Sequence, residues 1–329
     1  MQNFPLPRID TDKKLKKFLL PYCRFKQGDI WLDPKGMHRI ACIDAAEMQS
    51  VKKLMNGEKA SLAVHDPPYN FVAFEERDAE KFIRWSKSWI ENSYNYLLDD
   101  ASLYVWLGAD QKNNFQPFAE FILMMRQSGF TSRSLITMRN QRGYGTQKNW
   151  MAVRQELLFY TKGKPYFNVK AEYTEIPKVL KGYYKTVGGI TTENFERSKS
   201  ENIRAGNVWL DIQQVFYRLE ENVNGCFAQK PLKAVERIIN ASSKKNDIVI
   251  DFFSHSGTSL IASEITGRRC FTSDIDPVFC EITLRRLEHF RTNHKTGWQN
   301  SNPFVNEIQT DKKLKNYLKE KYNIQPELD

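Results

Sequence analysis

The 329-residue sequence has no two cysteines spaced to share a zinc ion: Cys23, Cys42, Cys226, Cys270 and Cys280 are scattered without a C-x-x-C pair. That argues against a metal site and a disulfide framework, and predicts a reducing cytoplasm. No stretch approaches the ~20 apolar residues of a membrane span, and the N-terminus has no apolar core of signal-peptide length. A soluble, unexported protein with no membrane partner is the expectation. There is no repeat of solenoid period, only a six-residue echo, TDKKLK, at 11–16 and 310–315. Acidic residues are the minority, 39 against 49 Lys and Arg, for a net charge of +10 and a pI near 9.2. Such a balance favours a polyanionic partner.

The stretch that organises the rest is LAVHDPPYNF, from Leu62 to Phe71. Leu62, Ala63 and Val64 read as a buried strand too short for a helix, and Pro67 and Pro68 forbid both helix and further sheet pairing. In an open α/β sheet such a strand end faces the ligand crevice. With φ fixed at both prolines, the Asp66 carboxylate and the Pro67 carbonyl can stand side by side as two acceptors, with Tyr69 beside them. That is a receptor for an NH2 group on a flat ring. The lone pair of a nucleobase amine is delocalised into the ring; two acceptors on its hydrogens draw the nitrogen toward tetrahedral geometry and free the pair to attack, while the tyrosine stacks on the base.

A second constellation lies near the other end. Pro231 opens a helix with Leu232, Val235, Ile238 and Ile239 along one face. Then Ile248 to Ile250 read as a buried strand, Asp251 to Gly257 as a loop, and Thr258 to Thr266 as a helix closed by Gly267. A further strand, Cys270 to Ser273, ends at Asp274, about 20 residues past the loop, the spacing at which an acid binds ribose hydroxyls in nucleotide folds. Between the two constellations, positions 126–204 carry fifteen Lys or Arg and six Asp or Glu, so this quarter holds +9 of the chain's +10.

DPPY resembles the catalytic motif IV of the amino-methyltransferases, which use S-adenosylmethionine to methylate N6 of adenine or N4 of cytosine in DNA. AQKP at 228–231 is similar to their motif X, and DFFSHSGTS to the loop D-P-F-x-G-S-G-T-T that cradles the methionine portion of the cofactor. Asp251, Phe253, Ser256, Gly257 and Thr258 match that loop, whereas His255 replaces its first glycine. The order of catalytic motif, basic region and cofactor loop resembles the permuted β class, and the likeness runs from about Arg39 to Phe290. It implies a Rossmann-like α/β fold with a mostly parallel seven-stranded sheet, circularly permuted around a target-recognition insert. It also implies S-adenosylmethionine as cofactor and double-stranded DNA as partner, with Asp66, Pro67, Pro68 and Tyr69 catalytic. Asp44, Lys230, Asp251, Phe253, Ser256, Gly257, Thr258 and Asp274 are its cofactor contacts; for Asp44, which ends the strand-like HRIACID, a helix cap is the competing reading.

The expected divisions are an N-terminal extension (1–37), a catalytic half (38–167), a recognition insert (168–226), a cofactor half (227–292) and a helical tail (293–329). Within the catalytic half, two strands are expected to flank the polar loop NQRGYGTQKNW, the second beginning near Glu156. Arg142, Tyr144 and Lys148 there, and Lys185 in the insert, are candidate DNA contacts; an ordinary solvated hairpin is an equal reading of the loop. Positions 169–204 read as a loop-rich recognition region or a linker rather than more sheet. The lysine-rich echoes read as peripheral helices, apolar on one face and solvated on the other. Asp66 leans toward adenine, because cytosine enzymes more often have serine there. An N4-cytosine or RNA amino-methyltransferase, or an inactive DNA-binding subunit, is the alternative. A homodimer and a cognate restriction endonuclease stay open as partners, in a restriction–modification or orphan setting.

Overall fold

The computed structural model describes residues 6–68, 78–108, 115–146, 149–168, 173–179, 182–195, 200–299 and 301–322. Tyr69 and Lys148 lie outside them.

The chain opens with helix α1 (Lys13–Leu19), whose first turn is capped by the Asp12 carboxylate accepting from Leu15 N. A short edge strand β1 (Ile30–Leu32) turns back into β2 (His38–Cys42), and α2 (Met48–Met55) leads to β3 (Ala60–His65). Asn56 ends α2 in the left-handed region (φ 47°), the position where asparagine is the usual substitute for glycine. Helix α3 (Ala79–Tyr96) starts on Asp78, whose side chain accepts from Glu80 N and Lys81 N, and runs directly into β4 (Leu97–Leu107). After α4 (Phe118–Met125) come two long strands, β5 (Thr131–Thr146) and β6 (Asn149–Lys162). Four short strands follow, β7 (Tyr173–Pro177), β8 (Gly182–Val187), β9 (Ile190–Phe195) and β10 (Asn202–Arg204), and then β11 (Val208–Trp209). The remainder alternates as α5 (Leu232–Ser242), β12 (Ile248–Asp251), α6 (Thr258–Thr266), β13 (Arg269–Asp274), α7 (Pro277–Asn293), α8 (Val305–Thr310) and α9 (Lys312–Tyr322). Pro231 is the cap before α5 rather than its first turn.

Nine of these strands form one sheet in the order β1-β2-β13-β12-β3-β4-β6-β5-β11. The expected seven are the inner ones, β2 to β5, of which β2, β13, β12, β3 and β4 are mutually parallel and β6 is antiparallel to both its neighbours. The sequence reading falls two short because β1 and β11 are edge strands of three and two residues, too brief to show a period. Along β3, Leu62 and Val64 face a core built with α5, α6 and α7, while Ala63 faces one built with α2, α3 and α4, so the sheet is covered on both sides. β12 is buried along its whole length, as a central parallel strand must be. Its crossover through α6 leads one way along the sheet and that of β3 through α3 leads the other. Neighbouring strands that diverge in this way open a crevice beyond their carboxyl ends.

Two sequence readings need correction. The polar loop at 140–150 is strand through Thr146 and again from Asn149, so the second strand starts seven residues before Glu156. Gly143 and Gly145 fall where the β5–β6 register slips, not at a turn. The region 169–204 also contains sheet: β8 and β9 form a hairpin closed by Gly188 and Gly189, both at positive φ (59° and 78°), while β7 pairs with β10. The terminal helices, too, do more than lie on the core. Tyr317 donates to Asp12 at 2.8 Å and Tyr22 to Asp311 at 2.8 Å, so each echo's capping aspartate takes a tyrosine from the other, around buried Leu15, Leu19, Leu314 and Leu318. No helix among the described residues is long and apolar enough to cross a membrane.

Candidate active site

β12 and β3 end side by side, and their last residues bring the two sequence constellations together. Asp251 closes β12 and Asp66 follows β3 directly. A cavity of about 710 Å³ opens beyond them, lined by Asp66, Pro67, Pro68, Lys230, Phe253 and Asp274 among others.

Asp66 holds one carboxylate oxygen 2.8 Å from Lys230 Nζ, while its Oδ1 is buried without a partner. Burial pushes the carboxyl above its ordinary value; Lys230 opposes this and the nearby Asp251 adds to it. A buried acceptor with no donor is costly in a finished core and expected where a donor arrives with a ligand. Lys230, expected as a cofactor contact, therefore touches the Asp66 carboxylate as well as lining the cavity. Its ammonium also lies 5.4 Å from the ring centre of Trp106.

Several amides of the loop from Asp251 to Gly257 help to hold it in place. Phe253 N donates to Asp251 Oδ1 at 3.0 Å, Ser254 N to Ser273 O at 2.8 Å, His255 N to Asp274 Oδ2 at 3.0 Å and Gly257 N to Ser254 O at 2.6 Å. His255 adopts φ +44°, so the non-glycine takes up the left-handed turn that the loop requires. Gly257 sits at φ +76°, a conformation that favours glycine, and a Cβ there would come to 3.1 Å from Thr283 Cα, closer than an ordinary contact. Ser256 Oγ and Thr258 Oγ1 are 3.2 Å apart, and Thr258 donates to Lys230 O at 3.3 Å, linking the loop to the Lys230 segment. Asp274 also accepts from Asp276 N at 3.0 Å, and burial pushes its carboxyl up to about 7. Asp44 lines the same cavity, but its carboxylate accepts from Ala46 N at 2.9 Å, a turn before α2 and not the helix cap itself.

Three residues escaped the sequence reading. His65, fully buried, accepts from Phe252 N through Nδ1 at 3.2 Å, which leaves Nε2–H to donate to Ser93 Oγ at 2.9 Å. Burial lowers its pKa and keeps it neutral, so it clamps the end of β3 to the start of the cofactor loop. A histidine closing an apolar strand just before DPPY was the available signal. Arg286 on α7, also fully buried, donates to Ser256 O at 2.8 Å and to Thr258 Oγ1 at 3.1 Å, bracing the loop from behind. Its helix position alone could not reveal this. Arg8, from the extension, lines the cavity. Of the candidate DNA contacts, Arg142 and Tyr144 fall on β5 of the main sheet and Lys185 is exposed on β8 of a separate two-stranded sheet. Among the described residues no group of three His, Cys, Asp or Glu could hold a metal.

A DNA methylase family model of the N6/N4 type matches residues 60–285, and the chain belongs to that family. The chain is 28% identical to the Type II methyltransferase M1.MboII of Moraxella bovis over 78% of this chain and 99% of the relative. It is 27% identical to the DNA adenine methyltransferase YhdJ of Escherichia coli K12 over 72% and 79%. In fold it is similar to the M1.HpyAVI–SAM complex (TM-score 0.52, 16% identity, 76% and 99% covered). It is likewise similar to the cytosine-N4-specific PvuII DNA methyltransferase (TM-score 0.54, 15% identity, 75% and 85% covered).

Proposed function

We propose that this DNA methyltransferase modifies N6 of adenine, with S-adenosylmethionine as methyl donor. The observation that carries the reading is the buried, partnerless Oδ1 of Asp66, which follows the central strand at the mouth of the crevice. The cavity suits the donor: an acid at the end of β13 for ribose hydroxyls, a glycine at positive φ where the loop packs close to α7, and volume for both a nucleoside and a flipped base.

The cofactor supplies an electrophilic methyl on sulfur; the chain's residues do the rest. Asp66 Oδ1 accepts one amine hydrogen and the Pro67 carbonyl the other, an arrangement that strengthens as the nitrogen becomes tetrahedral. Lys230 opposes the upward push of burial on the Asp66 carboxyl and so favours its ionised form, in which it is purely an acceptor. Tyr69 stacks on the extruded base. Asp44, Asp251, Phe253, Ser256, Gly257, Thr258 and Asp274 form the cofactor wall. The basic strands from β5 onward, with Arg142, Tyr144, Lys148 and Lys185, serve as the recognition region of residues 168–226 and its neighbouring arm. The Type II name of M1.MboII supports a restriction–modification role; a cytoplasmic setting, a cognate endonuclease and a homodimer are further expectations, the last of which light scattering decides.

The test is incubation with labelled cofactor and mixed-sequence double-stranded DNA, followed by mass spectrometry of the digested nucleosides. N6-methyladenine is expected. N4-methylcytosine would move the enzyme to the other branch of its family, methylated RNA would change the substrate, and no methyl product at all would mark an inactive DNA-binding subunit.

A further inference from the structure

We propose that Arg8, in the N-terminal extension and outside the family-matched residues, binds the carboxylate at the amino-acid end of the cofactor. The proposal rests on S-adenosylmethionine as the methyl donor. That ligand brings a carboxylate into a crevice already holding Asp44, Asp66 and Asp274, so a donor must meet it. Five amides of the loop are committed elsewhere: those of Phe253, Ser254, His255 and Gly257 are donated within the loop and its flanking strands, and that of Phe252 goes to His65.

Three cations line the cavity. Lys230 is 2.8 Å from Asp66, and Lys16 is 2.5 Å from Asp276. Arg8 differs in geometry. Asp10 takes its Nε side, at 2.8 and 2.7 Å from Nε and 2.6 Å from Nη2, and a planar guanidinium with five donors retains a second edge. The group is also stacked 4.1 Å from the ring centre of Phe227, three residues before Lys230. Arg8 belongs electrostatically to the loop: with Lys230 and Lys16 it adds to the burial that pushes His255 down to about 4, against the pull of Asp10.

The extension is fixed there. Ile9 N donates to Gly225 O at 3.0 Å, and Gly225 sits at φ +96° where a Cβ would lie 2.6 Å from Ile9 Cδ1. Leu6 and Ile9 are buried with Val223 and Cys226, so the segment carrying Arg8 and the segment carrying Lys230 move as one. The cofactor site thus has a third wall contributed from the start of the chain.

Calorimetric titration of the full chain with S-adenosylhomocysteine and with methylthioadenosine, which lacks the amino-acid carboxylate, tests this. Arg8→Ala should weaken S-adenosylhomocysteine on the order of ten- to a hundred-fold, the span of a charged hydrogen bond, and leave methylthioadenosine unchanged. Arg8→Lys should fall between. Because the Arg8 side chain is 39% exposed, an unchanged melting temperature is expected and checks that the fold survives. Unaltered S-adenosylhomocysteine affinity, or equal weakening of both ligands, overturns the proposal. Wild-type protein that binds neither ligand overturns the cofactor itself, and the role of Arg8 with it.

Discussion

At the crevice between β12 and β3, side chains and loop amides are tied across several elements; from β5 to β11, large apolar side chains stand exposed. His65, Asp251, Asp274, Thr258 and Arg286 are tied to one another's segments, and Asp66 Oδ1 is set apart from the Asp251 and Asp274 carboxylates by being buried with no hydrogen-bond partner. In the other region Trp150 is 91% exposed, Tyr184 74%, Val187 63% and Ile190 70%, and β8–β9 joins no other strand among the described residues. The contrast separates two physical tasks. Stabilising a transition state needs groups fixed before the substrate arrives, whereas contacts to a long polyanion can be completed by the partner itself.

The largest expected effect breaks the crevice at its partnerless atom. Asp66→Ala should lower kcat on the order of 10²–10³-fold while leaving cofactor and DNA affinity within a few-fold, since the missing acceptor acts mainly as the nitrogen becomes tetrahedral. Single-turnover kinetics beside equilibrium binding would show it; a matching fall in DNA affinity would make Asp66 a binding group instead. Lys230→Met should add a pH signature. Burial already raises the Asp66 carboxyl and Lys230 restrains it, so the variant's acid limb should move to higher pH.

The next effect probes the other side of the comparison. Neutralising Arg142, Lys148 and Lys185 together should flatten the slope of log K against log salt by about 0.9 for each phosphate that these side chains neutralise in the wild-type complex. Cofactor affinity and thermal stability should not move. A slope unchanged across a salt series would place the DNA elsewhere, with the lysines of the terminal helices as the alternative surface.

How far each region was legible in the sequence follows the same division. The strand before DPPY, the loop from Asp251 to Gly257 and the acid at Asp274 were readable because each is a local pattern that a strand end imposes on neighbouring residues. The left-handed turn at His255 was readable too, from a glycine position filled by something else. What joins these pieces was not: Lys230 reaches Asp66 across 164 residues, Arg286 reaches Ser256 across 30, and the paired tyrosines of the termini reach across 289 and 305. Periodicity carries no information about such contacts. In the basic quarter the failure was different. Gly188-Gly189 between strand-forming residues is a hairpin signal in its own right, and composition alone overshadowed it.

A smaller effect follows from Asp274, whose carboxyl burial holds near 7. In the free protein a carboxyl raised in this way contributes stability below its unfolded value and loses that contribution as pH rises through about 7. Cofactor binding should run the opposite way. If the ribose hydroxyls donate to the carboxylate, affinity should climb roughly tenfold per pH unit on approaching neutrality and level off above it. Asp274→Asn should remove that dependence along with part of the affinity; a pH-independent wild-type Kd between 6 and 8 would take Asp274 out of the ribose site.

The smallest expected effect concerns the one place where the crevice departs from its own logic. His255 holds φ +44°, which a non-glycine residue adopts at a cost of roughly 1–2 kcal/mol, less for a side chain that hydrogen-bonds or packs locally. Here the ring packs 4.7 Å from the centre of Phe279, and burial drives it neutral, so its contribution at physiological pH is packing rather than charge. His255→Gly releases the backbone strain, removes that packing and gives the unfolded chain about 1 kcal/mol more entropy. These terms oppose one another. Melting temperature and S-adenosylmethionine affinity should therefore shift little, within about 1 kcal/mol and a few-fold in Kd. The backbone N–H that ties position 255 to Asp274 is common to both residues, so Asp274 keeps its orientation. A fall in affinity well beyond tenfold with an unchanged melting temperature would mean that the imidazole itself touches the ligand.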